Sequence, residues 1–143
     1  MSSGGAGTMG FGLPSAMGVQ VAFPDATVAC VTGEGSIQMN IQELATLRRY
    51  QIPVKILLLD NAMLGLVRQW QELFFGERYS ETDTSDTNPD FVALAEAFGC
   101  VGLRASTPDE ADAVIAQAWE VHDRPVLMEF VVPNEEMVFL MVP

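Results

Sequence analysis

Positive charge is scarce in this chain: 7 Lys and Arg stand against 19 Asp and Glu, for a formal net charge of −12. That argues against a nucleic-acid partner, because binding a phosphate backbone relies on clustered Lys and Arg. Any anionic ligand must be neutralised by something other than lysine. The single histidine, His122, stands beside Asp123 in a loop and reads as solvent-exposed rather than catalytic. The two cysteines, Cys30 and Cys100, are too far apart for a metal knuckle and too few for a disulfide framework, so they read as reduced, buried thiols. Long apolar runs are missing as well. The longest aliphatic stretch, residues 56–59, cannot span a bilayer, and "MSSGGAGTMG" at the start has no basic n-region. A soluble cytoplasmic protein without a membrane partner is expected.

What the chain has is apolar content and punctuation. With 143 residues and 49% apolar composition, it can build one domain, residues 1–143, around one real core. "TVACVT" (27–32) and "VKILLLD" (54–60) read as central parallel strands buried on both faces. Between them Ile37, Ile41, Leu44 and Leu47 recur at helical spacing, with Ser36 as N-cap, which predicts a crossover helix over 37–50. Asn88-Pro89 starts a later helix with Phe91, Leu94, Ala95 and Phe98 on one face and Gly99 as its stop. Thr107-Pro108-Asp109-Glu110 is a capping box with proline at the first helical position. Strands are expected over 101–105 and within "PVLMEFVV" (125–132). The alternation predicts an α/β fold, three layers α/β/α around an open, mainly parallel sheet. The polar stretch 76–88 reads as an exposed loop, either a solvated linker or a mobile lid. The apolar tail "EEMVFLMVP" should pack on something, in this chain or another, and favours a homo-oligomer.

Two glycine clusters call for a reason. Gly5-Ala6-Gly7-Thr8-Met9-Gly10 matches G-x-G-x-x-G, but no strand precedes it and Asp25 comes before the first strand, so the dinucleotide reading fails. "TGEGS" (32–36) follows a strand and opens a helix, the natural place for a phosphate. It is not a Walker A loop, having neither the spacing nor a lysine. Its Glu34 makes sense if a divalent cation sits between the carboxylate and the phosphates. A second ligand is then expected at the C-terminal end of the neighbouring strand, where Asp60-Asn61 stands. Taken singly, Glu34 could be a solvated loop acid and Asn61 a left-handed turn residue.

Gly-acid-Gly, a spacer of this length and then Asn61 resemble the thiamine-diphosphate motif. Together, "SGGAGTMGFGLPSAMG", "GEGSIQMNIQELATL", "LGLVRQWQELFFGERYSET" and the final "MVP" look like the C-terminal, cofactor-binding domain of the acetohydroxyacid synthase (acetolactate synthase) catalytic subunit. The "GLVRQW" run (65–70) points to this member of the superfamily. The resemblance implies a transferase of branched-chain amino acid biosynthesis. Such an enzyme uses thiamine diphosphate and Mg²⁺ to decarboxylate pyruvate and join it to a second 2-ketoacid. Carried over by position, Glu34, Asn61 and the Met63 carbonyl would hold Mg²⁺. Gly33, Gly35, Ser36, Leu64 and Gly65 would surround the diphosphate, the last four through backbone N–H groups and Ser36 also through its hydroxyl. Gly7, Thr8 and Met9 would meet the aminopyrimidine, with the Met9 side chain under the bent cofactor. Leu66, Val67 and Trp70 would line the substrate side, unless Trp70 is a core indole.

The activating glutamate of the family comes from a pyrimidine-binding domain of another chain, so no catalytic residue of that kind is expected here. The pyrimidine-binding and middle domains are not in this sequence, which reads as a fragment or one half of a split enzyme, nearly inactive alone. Three positions depart from the pattern: Glu34 for the usual aspartate, Asp60 for the first asparagine and Leu66 for methionine. Other readings are the diphosphate-binding subunit of a split thiamine-diphosphate 2-ketoacid decarboxylase and a non-catalytic assembly domain. Gln69-Trp70 and the "MVP" ending count against the first of these.

Overall fold

The apolar run "ILLL" needs cover, and it gets most of it by becoming an inner strand, with Leu59 at its end left 43% exposed. In the computed structural model, which describes residues 1–138, β2 (Lys55–Asp60) lies between β1 (Ala29–Gly33) and β4 (Val126–Val131). β3 (Val101–Ala105) completes the order β1-β2-β4-β3. Every pairing is parallel, with Gly33 opposite Leu59 and Asp60 opposite Val131. The C-terminal ends of β1, β2 and β4 therefore open on one edge of the sheet, where open α/β sheets bind ligands.

Helices cover both faces. α1 (Gly12–Ala22), α3 (Glu43–Arg49) and α5 (Phe91–Ala97) place Leu13, Leu44, Leu47, Phe91 and Ala95 against Ile56, Leu58 and Leu127. On the opposite side α6 (Pro108–Trp119) packs Val114 and Ala118 on Val126 and Met128. This is the expected three-layer α/β/α arrangement. Phe91 is fully buried, a side chain worth about 1.5–3 kcal/mol by area removed from water. The α6 capping box forms as read: Thr107 Oγ1 accepts the Glu110 N–H and Glu110 Oε2 accepts the Thr107 N–H. Both thiols are buried, and burial pushes Cys100 up to about 11. His122 is exposed, as expected. Among the described residues no helix is long and apolar enough to cross a membrane.

Three expectations need correction. β1 is an edge strand, not a central one, and only alternate residues are covered: Cys30 is buried while Val31 is 65% exposed. The helix over 37–50 is broken into α2 (Glu34–Ile37), a 3₁₀ turn (Gln38–Asn40) and α3. Leu44 N–H and Ala45 N–H bond the carbonyls three residues back, so the chain enters α3 through a tighter, 3₁₀-like turn. Gly33, not Ser36, precedes the first turn of α2. Finally, α5 is capped by Asp90, whose Oδ1 accepts the Val92 and Ala93 N–H groups. Asn88 is thereby freed from capping.

Candidate cofactor and cation site

The two glycine clusters are stitched together. Gly10 N–H donates to Ser36 Oγ at 3.0 Å and Asn40 Nδ2 donates to the Gly10 carbonyl at 2.7 Å. Gly10 has φ +83°, and a Cβ there would sit 2.5 Å from Asn40 Nδ2, so only glycine fits. Its neighbour Met9 is thereby set beside the β1–α2 turn. A Cβ on Gly35 would lie 2.7 Å from Leu64 Cδ2 and 3.3 Å from Met9 Cε. The bare backbone at Gly35 is what lets these chains close in.

Around this junction lies a pocket of about 470 Å³, within the usual range for a small-molecule site. Met9, Gly33, Glu34, Gly35 and Ser36 line one side, and Asn61, Met63, Leu64, Gly65, Leu66 and Val67 the other. Of the residues singled out in the sequence, Gly7, Thr8 and Trp70 do not line it. Gly7 and Thr8 are exposed upstream of Met9. Trp70 is 53% exposed on α4 (Gly65–Phe74) and stacks at a tilt on Phe74, so it is not a core indole.

Glu34 and Asn61 meet over one donor. Met63 N–H donates to Glu34 Oε1 at 2.9 Å and to Asn61 Oδ1 at 3.2 Å. Asp60 Oδ1 accepts the Ala62 N–H at 2.9 Å, and it is Ala62, not Asn61, that takes the left-handed conformation, with φ 55°. Glu34 is only 2% exposed. Burial pushes its carboxyl up from the usual range, and the Asp60 charge adds to the rise against the pull of backbone N–H groups. Among the described residues no Lys or Arg pairs with it.

An oxygen-only set with an uncompensated buried carboxylate suits a hard divalent cation. Among the described residues no cluster of three or more His, Cys, Asp or Glu residues gathers. Two helix starts face the same pocket, α2 at Gly35 and Ser36 and α4 at Gly65 and Leu66, each with N–H groups that have no partner within the helix. The Ser36 hydroxyl accepts from Gly10 and keeps its own hydrogen to donate. Leu64 corrects an expectation: its N–H is taken by the Thr82 carbonyl at 2.8 Å, so it is not free for a phosphate.

Two contributions escaped the sequence. Leu59, Val132, Pro133 and Glu136 also line the pocket. The segment after β4 is held there by α4: the Gln69 amide donates to the Val138 carbonyl at 3.0 Å and accepts its N–H at 2.9 Å, and Arg68 donates to the Asn134 carbonyl. The tail thus packs on α4 as far as Val138, while residues 139–143, including "MVP", lie outside the described residues. The second contribution is the supposed linker. Thr84 N–H bonds the Ala62 carbonyl, Met63 bridges Asp83 in antiparallel fashion, and Thr82 is 2% exposed. Residues 82–84 are therefore pinned along the cation turn. A larger groove of about 740 Å³, among Met17, Pro24, Tyr50, Ile52 and His122, lies away from these carboxylates.

Fold and site together define an α/β domain in which an oxygen-lined turn and two helix starts open on one pocket. Residues 1–130 match the family described as "Thiamine pyrophosphate enzyme, C-terminal TPP binding domain", and the chain belongs to it. Its relatives narrow the class. The chain is 51% identical over 143 residues to the acetolactate synthase isozyme 2 large subunit of Escherichia coli (strain K12), covering 100% of this chain and 26% of that protein. It is 49% identical over 141 residues to the acetolactate synthase large subunit of Haemophilus influenzae, covering 99% and 24%. Among solved structures it resembles the thiamine diphosphate-dependent 4-hydroxybenzoylformate decarboxylase of Rhodococcus jostii RHA1, with TM-score 0.84 and 32% identity over 92% of this chain and 24% of that one. The chain spans about a quarter of the length of these relatives.

Proposed function

We propose that this chain is the cofactor-holding domain of an acetolactate-forming enzyme, binding thiamine diphosphate through Mg²⁺. The observation that carries the reading is the meeting of Glu34 Oε1 and Asn61 Oδ1 on the Met63 N–H, beside two converging helix starts. Glu34, Asn61 and the Met63 carbonyl would hold the cation. The N–H groups of Gly35, Ser36 and Gly65 and the Ser36 hydroxyl would hold the diphosphate. When bound, the cofactor supplies the electron sink for the pair left behind as a 2-ketoacid loses carbon dioxide.

The chain's residues do the rest by position. Met9, 46% exposed beside Gly35, offers an apolar edge for the cofactor's rings to bend over. Leu66 and Val67 keep water from the pocket's open side, and Trp70, one turn further along α4, shapes the room left for the second 2-ketoacid. The outer face of α4 exposes Leu66, Val67, Leu73 and Phe74, which supports a pyrimidine-binding domain of another chain covering it and supplying the activating glutamate.

The test is calorimetric titration with thiamine diphosphate, with and without Mg²⁺, followed by assays on pyruvate and 2-ketobutyrate. Cation-dependent binding is expected, with acetolactate formed only after a separately prepared pyrimidine-binding domain is added. Robust acetolactate formation by the chain alone would refute the need for a partner. The likeness to a 4-hydroxybenzoylformate decarboxylase supports a second reading, decarboxylation without carboligation; free aldehyde in place of acetolactate would select it.

A further inference from the structure

Glu34 and Asn61 leave the sheet on two different strands. The β1–β2 ladder ends at the Gly33–Leu59 pair; past that point the Met63 N–H joins the two side chains, and the backbones that carry them need a tie of their own. Asn88 stands between the two turns. Its Oδ1 accepts from Gln38 Nε2 at 3.0 Å, and the same Gln38 nitrogen donates to the Glu34 carbonyl at 3.2 Å. Its Nδ2 reaches Asp60 Oδ1 at 3.4 Å, the oxygen that also accepts the Ala62 N–H. Asn88 is itself anchored, its N–H donating to the Thr84 carbonyl at 2.8 Å, while Thr84 N–H is bonded to Ala62. Since Asp90 caps α5, capping does not account for an amide at position 88.

We propose that Asn88 is a positioning residue for the cation: it ties the turn carrying Glu34 to the turn carrying Asn61 and so sets the distance between the two ligands. The role rests on the cofactor-domain reading above. The amide is the side chain that can do this, because one end must accept from Gln38 and the other must donate to Asp60. Aspartate would set a second carboxylate against Asp60, and alanine would leave the Met63 N–H as the remaining tie between the two turns described here. Mg²⁺ demands a small, near-octahedral shell at about 2.0–2.1 Å, whereas Ca²⁺ accepts a looser one at about 2.3–2.6 Å. A gap that has lost its tie should therefore penalise the smaller ion more.

The experiment is titration of the full chain with thiamine diphosphate in Mg²⁺ or in Ca²⁺, for the wild type, Asn88→Ala, Asn88→Asp and Gln38→Ala. Partners behind metal ligands typically contribute about 10–100-fold in affinity. Asn88→Ala and Gln38→Ala should each lose about tenfold in Mg²⁺-dependent binding and distinctly less in Ca²⁺. Asn88→Asp should lose more than Asn88→Ala. An equal loss in both ions, the mark of general loosening, overturns the role, as does binding unchanged from wild type. Gln38→Ala, which cuts the other arm of the tie, decides the matter should Asn88→Ala not fold. A wild-type chain that binds the cofactor with neither ion overturns the cofactor reading itself, a result distinct from variants that match a binding wild type.

Discussion

Two segments border the cation turn, and they work in opposite ways. Residues 33–36 bring the proposed ligand side chain itself, a buried carboxylate between glycines, where the bare Gly35 lets Leu64 and Met9 crowd in. Residues 82–88 bring no ligand; they offer the Thr82 carbonyl, the Thr84 N–H and the Asn88 amide to a turn that another strand supplies. The first segment decides what can bind. In the role proposed above, the second sets how well the binding atoms are placed. A site built this way has its chemistry in residues of distinctive type and its geometry in a stretch, "TDTSDTN", that has none.

Disabling each segment in turn separates the two contributions. The largest effect is expected from Glu34→Gln, which keeps shape but removes the charge: Mg²⁺-dependent binding of thiamine diphosphate should fall by more than the roughly 10–100-fold typical of a lost outer partner, as read by calorimetry. The same variant should raise the melting temperature of the ligand-free chain near neutral pH. The sign follows from burial: the Glu34 carboxyl is raised in the folded state, so the folded chain holds this proton more firmly than the unfolded one. This group's contribution to ligand-free stability is therefore greatest at acid pH and is lost as pH rises through the raised value. Cofactor binding must run the other way, weakening as pH falls, because the cation needs the carboxylate bare. A pH series of wild type against Glu34→Gln checks both slopes.

On the other side, Thr84→Pro removes the donor to the Ala62 carbonyl without touching any ligand, at a cost of about 1–3 kcal/mol for the orphaned group. It should weaken cation-dependent binding while leaving the far-ultraviolet circular dichroism intact. Cofactor binding indifferent to this change would mean that residues 82–84 are only a solvated connection. Glu34→Asp should bind thiamine diphosphate with Mg²⁺ at least as tightly as wild type, and markedly weaker binding would show that the longer side chain is matched to this turn. The smallest effect is expected from Ala62→Gly. Relief of the left-handed φ of 55° should stabilise the chain by about 0.5–1 kcal/mol, net of the extra freedom of glycine when unfolded; chemical denaturation measures it.

The strands and the α6 capping box were legible because each is written in neighbouring residues, β-branched runs and Thr-Pro-x-Glu; the meeting of Glu34 with Asn61 was legible because each follows its own strand and parallel neighbours end at one edge. The edge position of β1 was not, since "TVACVT" is as apolar as an inner strand and only the order β1-β2-β4-β3 leaves Val31 uncovered. The break in the 37–50 helix was hidden, because Ile37, Ile41, Leu44 and Leu47 keep ordinary helical spacing across it. Its cause is distant: Asn40 turns to the Gly10 carbonyl, a contact 30 residues away in the chain. Asn88 misled for the same reason. Asn-Pro signals a helix start locally, yet its side chain answers to Gln38 and Asp60, 50 and 28 residues off. Loop residues that pair across such distances leave no period to read.

The two buried thiols also make the chain self-reporting. Cys30 lies within β1 and Cys100 immediately before β3, the two outermost strands of the sheet. In the closed state both are shielded and protonated, so an alkylating reagent can reach each one only during a transient opening of its own edge. Modification rates resolved by mass spectrometry would clock the two openings separately, with no label added.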